Sequence, residues 1–344
     1  DYAKKYNQAA CKDLLTRKFF FTPSYEIYGG CAGFYDYGPL GCAVKQNVEN
    51  LWRNHFILEE DMLEVGCTNI VLDKVLQVSG HVGKFSDLMI KDTKTGTPHR
   101  ADKLIQEHIN KVLPKKKKEE EKAELTAIYD ACEAYNEAEI DACVEKLKIK
   151  DPVTNNPLTK AERFNLMFGV DIGPTGHLHG YLRPETAQGI FINYRRLLEY
   201  NNGKMPFSSA QIGMGYRNEI HPKQGLLRTR EFQMGEIEHF YDPQKTDHPK
   251  FAEVAHVKFP FWTATEQEKD SKELITNLTI GEAVAQKIVK NETLAYFMTR
   301  TYMFLVACGI KTEAIRFRQH KGKEMAHYAN DCWDAEVECS YEWV

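Results

Sequence analysis

Between Gln211 and Phe240 the chain reads QIGMGYRNEIHPKQGLLRTREFQMGEIEHF, and no other stretch limits its fold so tightly. Gln211, Gly213, Gly215, Arg217 and Glu219 share one parity, and Ile212, Met214 and Tyr216 share the other. Period-2 alternation sorts such sets onto opposite faces of a strand. The Ile/Met/Tyr face is expected to bury against a core. The opposite face is bare at Gly213 and Gly215 and charged at its end, which suits a surface where a ligand lies close to backbone. The loop HPKQG contains Pro222 and Gly225, both turn formers. The chain then returns through Arg228, Arg230, Phe232, Met234, Glu236 and Glu238, again of one parity. One face of this hairpin can gather Arg217, Glu219, Arg228, Phe232 and Glu236: guanidinium forks, an aromatic plate and carboxylates. Patterning alone fits the wetted face of an ordinary antiparallel sheet equally well.

The chain has 344 residues, 42% of them hydrophobic, which allows one large core with appendages or two domains. A net charge of −4 leaves nucleic-acid binding open, because a local basic patch suffices. No apolar run approaches the roughly 20 residues of a membrane helix. Neither a signal peptide nor an initiator Met is visible, and Asp1 reads as an ordered boundary rather than a native start. Nine scattered cysteines without a CxxC pair fit reduced thiols in a cytoplasmic protein. The sequons at Asn277 and Asn291 then carry no weight.

Taken in order, Tyr2–Arg17 has helical spacing and Phe19–Phe21 reads as a short strand. The stretch from Glu26 to Gly41 holds five glycines and Pro39, which argues for turns and close backbone packing. Pro39 then opens an amphipathic helix of about Leu40–Ile57, with Val44, Val48, Leu51, Trp52, His55 and Phe56 on one stripe. Met62–Thr68 is strand-like, and Asn69–Asp102 continues as short strand and loop, with His81 read as a loop or core histidine. KKKKEEEK, from Lys115, opens a charge-dense segment that looks helical over Glu124–Leu147 and loop-like over Pro152–Lys160. A solvated helix face explains such a run without any ligand. His177 and His179 share a strand face and read as surface residues. Arg183 and Glu185 share a face just before a helix from Thr186 to Tyr200, where a glutamate can serve simply as a cap. Asp242–His248 is a turn-rich break. Glu266–Ala295 reads as helical, Leu294–Val306 as a core helix and Ala314–His320 as a strand.

Several of these stretches resemble one family. Arg217-Asn218-Glu219, a loop, then Arg228, Phe232 and Glu236 at four-residue spacing resembles motif 2 of class II aminoacyl-tRNA synthetases. GFYDYGPLG with its following helix and strand resembles motif 1 of glycyl-tRNA synthetases. LDKVLQVSGHVGKFSD, RPETAQG (Arg183–Gly189), RFRQH and EMAHYA…DCWDAE are similar to eukaryotic-type glycyl enzymes, and the likeness runs from Tyr2 to Trp343. It implies an α+β class II catalytic fold, an antiparallel sheet flanked by helices. The implied layout is a first core part at 1–113 and a charged helical insertion at 114–160 that helps hold tRNA. A second core part at 161–242, a mostly helical insertion at 243–295 and a third core part at 296–344 follow. Motif 3 and the anticodon-binding domain of the family are not in the sequence, so residues 1–344 alone are expected not to charge tRNA.

The resemblance also implies chemistry. Glycine's carboxylate, ionised at neutral pH with a pKa of roughly 3, attacks the α-phosphorus of ATP, and tRNA(Gly) then takes the glycyl group. No protein nucleophile is required, only alignment and charge stabilisation. By position, Arg217 is the catalytic residue and grips the α-phosphate and the attacking carboxylate. Arg228 holds the γ-phosphate, Phe232 stacks on adenine, and Asn218, Glu219 and Thr229 complete the ATP site. Glu185 and Glu236 take the glycine ammonium. Mg²⁺ bridges phosphates, and no protein residue is assigned to it. The motif 1 helix and strand imply a homodimer. Two other readings stand beside this one: a non-catalytic nucleic-acid-binding subunit, like the accessory subunit of the mitochondrial DNA polymerase, and a sister class II synthetase for another amino acid. An organellar form is compatible with the same sequence.

Overall fold

The computed structural model of the chain describes residues 7–344 apart from 117, 223, 224, 270, 272, 323, 327, 341 and 342. The expected hairpin forms: Phe207–Tyr216 pairs antiparallel with Glu231–Phe240 along its whole length. Gln211 stands opposite Glu236, Gly213 opposite Met234, and Gly215 opposite Phe232, so these residues share a face as expected; the strands stop at Tyr216 and resume at Glu231, which leaves Arg217, Glu219 and Arg228 of the expected face outside them. A short strand, Leu63–Glu64, joins the hairpin in parallel at Ser209 and Ala210. It replaces the longer strand expected over Met62–Thr68.

One expectation about this hairpin is reversed. The glycine-bearing face is the more deeply covered one: Ser209 and Gln211 are fully buried, while Ile212, Met214 and Tyr216 keep part of their surface. Phe207 packs with Ile190 and Leu197 of the helix Ala187–Tyr200, which closes that side. On the other side, Ala210 and Ile237 meet Trp52, Phe56 and Phe304. Further along, Ile212 lines an open groove instead of a core.

Four smaller sheets surround the hairpin among the described residues. Phe21–Pro23 pairs with Tyr35–Tyr37. Ser86–Lys91 lies between Pro98–Arg100 and Glu162–Asn165. Leu178–Leu182 lies between Ile70–Leu72 and Gly169–Ile172. Ile315–Gln319 lies between Phe261–Trp262 and Trp333–Val337. Antiparallel pairing dominates, and helices pack between these sheets, so the chain is α+β. No helix among the described residues is long and apolar enough to cross a membrane.

Caps and glycines set the element ends. The first helix is Gln8–Arg17, capped by the Asn7 side chain accepting from Ala10 N; residues 2–6 of the expected helix lie outside the described residues. Phe19 takes a left-handed φ of 50°, which shifts the following strand to Phe21–Pro23. The long helix is Pro39–Trp52, followed by a π-helical turn, Arg53–Leu58, that buries His55, Phe56 and Ile57 in succession. A Cβ on Gly41 would lie 1.8 Å from the Phe20 carbonyl oxygen, so only glycine lets this helix approach the first strand. The charged segment is two helices, Glu119–Ala131 and Glu137–Leu147, because Asn136 and Glu139 form a capping box that starts the second anew. Both pack on Ala101–Val112 through Ile105, Ile109, Leu125, Ile128 and Ile140. Glu266–Ala295 is likewise not one helix: Ala264–Glu268 and Ile280–Ala285 precede Glu292–Ala307, with Thr263, Thr279 and Asn291 as caps. Phe259, Phe261, Tyr296 and Phe317 centre the core of this last part.

Candidate active site

Arg217 follows directly on the end of the strand at Tyr216. Its backbone N–H donates to Arg230 O, and its Nε donates to Pro184 O at 3.2 Å. Its guanidinium lies 5.3 Å from the Phe232 ring centre and 5.6 Å from that of Phe85. A carbonyl and two rings therefore orient the fork without neutralising it. The Phe232 ring crosses Gly215, where a Cβ would meet Cε2 at 2.8 Å. That close approach explains the second glycine of the strand.

The other expected nucleotide-binding residues lie along the connecting loop. Arg228 is exposed, and its charge reaches Asp87, whose carboxyl burial pushes above the usual range while Arg100 and Arg228 oppose the rise. Thr229 is buried and spends its hydroxyl on Glu231 O at 2.7 Å, which leaves little for a ligand. Asn218 N–H donates to Leu166 O. Glu219 O accepts from Arg230 Nη2 at 2.8 Å. Arg230 also donates to Ala32 O, and its N–H to Gly33 O, so the N-terminal glycine stretch packs over this loop. Gly225 has the positive φ expected of a turn glycine, at 66°; Lys223 and Gln224 lie outside the described residues.

Glu185 and Glu236 come together at the start of the helix Ala187–Tyr200. Glu236 Oε2 accepts from Thr186 N at 3.0 Å and from Thr186 Oγ1 at 2.5 Å. A carboxylate from the hairpin thus caps a helix elsewhere in the chain. Glu185 Oε1 accepts from Gln188 Nε2 at 2.5 Å and lies 3.2 Å from His81 Nε2. The His81 hydrogen bond holds the Glu185 carboxyl below its usual range, against the effect of burial. Each carboxylate is anchored through one oxygen, and among the described residues no hydrogen bond or ion pair is seen to its second oxygen.

Three residues were not singled out by the sequence for this site. Glu238, two positions along the same strand face, has its carboxyl pushed up to about 7 by burial and by Glu236 and Glu185. His81, expected to be a loop or core histidine, is in contact with Glu185. Arg183 is buried and donates to Met214 O at 2.8 Å, Cys67 O at 2.9 Å and Gln211 Oε1 at 3.3 Å. A Cβ on Gly213 would lie 2.1 Å from Arg183 Nη2, so the first glycine of the strand makes room for a guanidinium. The sequence signal for Arg183 was its place beside Glu185, on a face with no other charge to pair it. By contrast His179 rests against Asp171 at 3.2 Å, away from this cluster. Among the described residues no three His, Cys, Asp or Glu side chains converge as a metal site.

No family model matches the chain. Among curated proteins, a glycine–tRNA ligase of Drosophila melanogaster is 52% identical over 340 residues, which cover 98% of this chain and 44% of that protein. A protein described as a cytoplasmic glycine–tRNA ligase of Arabidopsis thaliana is 47% identical over 332 residues, covering 96% of this chain and 71% of that one. The chain spans about half the length of several curated relatives it matches. Among solved structures, the RNA binding domain of threonyl-tRNA synthetase from Cryptosporidium parvum aligns with a TM-score of 0.44 at 13% identity, over 94% of this chain and 56% of that one.

Proposed function

Since this chain belongs to the glycine–tRNA ligase family, we propose that it carries the adenylate-forming site of an enzyme that activates glycine with ATP and passes it to tRNA(Gly). The observation that carries this reading is one arrangement: Arg217, held between Phe85 and Phe232, beside two carboxylates that each offer an oxygen. The reaction needs no protein base, because its nucleophile is a carboxylate already ionised at neutral pH. It needs a fixed cation where charge builds on the α-phosphate, and Arg217 supplies one oriented in advance. Phe232 offers a face for adenine, and exposed Arg228 a charge for the γ-phosphate. Mg²⁺ fits as an ion carried mainly by the ATP phosphates, since hard oxygen ligands suit it and the protein need add few.

Glycine poses a problem of exclusion. Its ammonium is assigned to the second oxygens of Glu185 and Glu236. Gly213 and Gly215 leave the strand bare, but Arg183 and Phe232 occupy the space above them. A larger Cα substituent then meets fixed groups, which is rejection by steric conflict.

The wider reading follows the family. The core is taken as a class II catalytic domain at 1–113, 161–242 and 296–344, interrupted at 114–160 and 243–295. The first interruption, with its lysine run, is assigned to tRNA contact, and the motif 1 helix and strand to a homodimer. Scattered thiols favour the cytoplasm, with an organellar form compatible. A non-catalytic nucleic-acid-binding subunit would not need Arg217, Phe232, Glu185 and Glu236 kept as one set. The test is ATP–pyrophosphate exchange by the full-length protein across a panel of amino acids. Exchange with glycine alone is expected; no glycine-dependent exchange, or preference for another amino acid, overturns the proposal.

A further inference from the structure

The segment Ser79-Gly80-His81 lies outside every residue assigned above to ATP or glycine, yet it touches Glu185, one of the two carboxylates assigned to the glycine ammonium. The helix Asp73–Val78 ends at Ser79, and Gly80 turns the chain with a left-handed φ of 84°. That turn, which favours glycine, delivers His81 as the first residue of the short helix His81–Lys84. The His81 ring is largely enclosed and is pinned from three sides. Nδ1 lies 2.9 Å from Ser79 Oγ, Nε2 lies 3.2 Å from Glu185 Oε1, and the ring rests 5.5 Å from that of Phe85. Ser79 Oγ also lies 3.3 Å from Leu76 O.

The geometry points to His81 as a positioning residue for glycine, acting through Glu185 and depending on the function proposed above. Hydrogen-bond accounting gives the reason. If the Ser79 hydroxyl donates to Nδ1, the ring is the neutral tautomer with its proton on Nε2. If the hydroxyl donates to Leu76 O, Oγ is left to accept from Nδ1. The ionised Glu185 carboxylate can only accept, so Nε2, the nitrogen that faces it, is the donor. His81 and Gln188 both engage Oε1, so together they fix the carboxylate plane and turn Oε2 toward the ammonium. A glutamate held only by Gln188 would swing about its terminal torsion, which is broad. The cost would fall on glycine binding and not on ATP, whose contacts lie on Arg217 and Phe232.

The experiment is steady-state pyrophosphate exchange with the full-length protein, varying glycine and ATP separately, with a thermal melt of each variant. His81→Ala is expected to raise the glycine KM about tenfold or more, the scale of one hydrogen bond to a charged group. The ATP KM should stay within about twofold, and His81→Gln, which keeps a donor of similar reach, should recover most of the loss. In a Glu185→Gln background His81→Ala should add less than about twofold, because a residue acting only through Glu185 cannot be lost twice. If His81→Ala does not fold, Ser79→Ala keeps the ring and removes one anchor; a glycine KM raised about threefold then supports the role. An unchanged glycine KM, an equal rise in both KM values, or multiplying effects in the double variant overturns it. Absence of glycine exchange in the parent protein would instead refute the proposed function itself.

Discussion

Arg217, Glu185 and Glu236 differ in what they are asked to do, and substitutions at each should separate the tasks. Arg217→Ala in the full-length protein is expected to lower the rate of pyrophosphate exchange by about a hundredfold or more, the scale of one lost preorganised donor. Arg217→Lys should also be poor, since an ammonium cannot form the planar fork or lie flat between two rings. Glu185→Gln and Glu236→Gln keep volume and remove charge. Each should raise the glycine KM, by about thirtyfold or more if the site is dry, with little change for ATP. A change in melting temperature with an unaltered glycine KM would leave Glu236 only its capping role on Thr186. Glu238 gives a pH prediction. Its folded pKa of about 7 is raised from the ordinary 4.5, so the folded state binds the extra proton. Its contribution to stability is complete below about pH 4.5 and is lost as pH rises through about 7. Glu238→Gln should therefore flatten the fall in stability over that window, as read from denaturant melts at several pH values. A parallel curve for parent and variant would contradict the assignment.

At the scale of elements, close approaches made by glycine decide how the hairpin meets its neighbours. Gly213→Ala would drive Cβ to 2.1 Å from Arg183 Nη2, and Arg183 cannot retreat because carbonyl groups hold its other nitrogens. A loss of about 3 kcal/mol in a denaturant melt is expected, the upper range for overpacking. Gly66→Ala serves as the contrast: nothing lies within 4 Å of its Cβ, and the expected change is below about 0.5 kcal/mol. Equal effects at the two sites would show that Arg183 yields. The glycines were visible in the sequence as bare strand positions. Their occupants were not, because Arg183 and Trp52, which lies 2.9 Å from a Cβ on Gly235, arrive from distant segments.

At the scale of the molecule, an apolar groove runs beside the long helix. It measures about 570 Å³ and is lined by Phe20, Val44, Val48, Trp52, Ile212 and Phe304. Val44 and Val48 are 52% and 41% exposed, although the helical stripe places them with buried Phe56. A stripe buried at one end and bare at the other fits the proposed homodimer. Val48→Asp should turn a dimer into a monomer in sedimentation velocity while leaving the melt nearly unchanged. A variant that stays dimeric, or a parent that is monomeric at micromolar concentration, would argue against this face.

Much of the fold and the candidate site is legible in the sequence alone. Alternation from Gln211 to Tyr216 and from Phe232 to Glu238 determined which side chains share a face, because the pleat leaves no freedom once strands form; Arg217, Glu219 and Arg228 lie beyond the strand ends, where alternation has no hold. Pro39, Asn136, Thr279 and Asn291 mark helix starts through local chemistry that a sequence carries in full. The last three went unread only because long charged runs masked their capping signals. What tertiary structure alone decided is which face is covered and what each charge meets. The helix Ala187–Tyr200 buries the polar side of the hairpin at Gln211, against the hydropathy of Ile212 and Met214. His81 reaches Glu185 across more than a hundred residues of chain. Such pairings depend on how separate elements pack, and a burial or a partner that comes from elsewhere leaves no periodic trace in the local sequence.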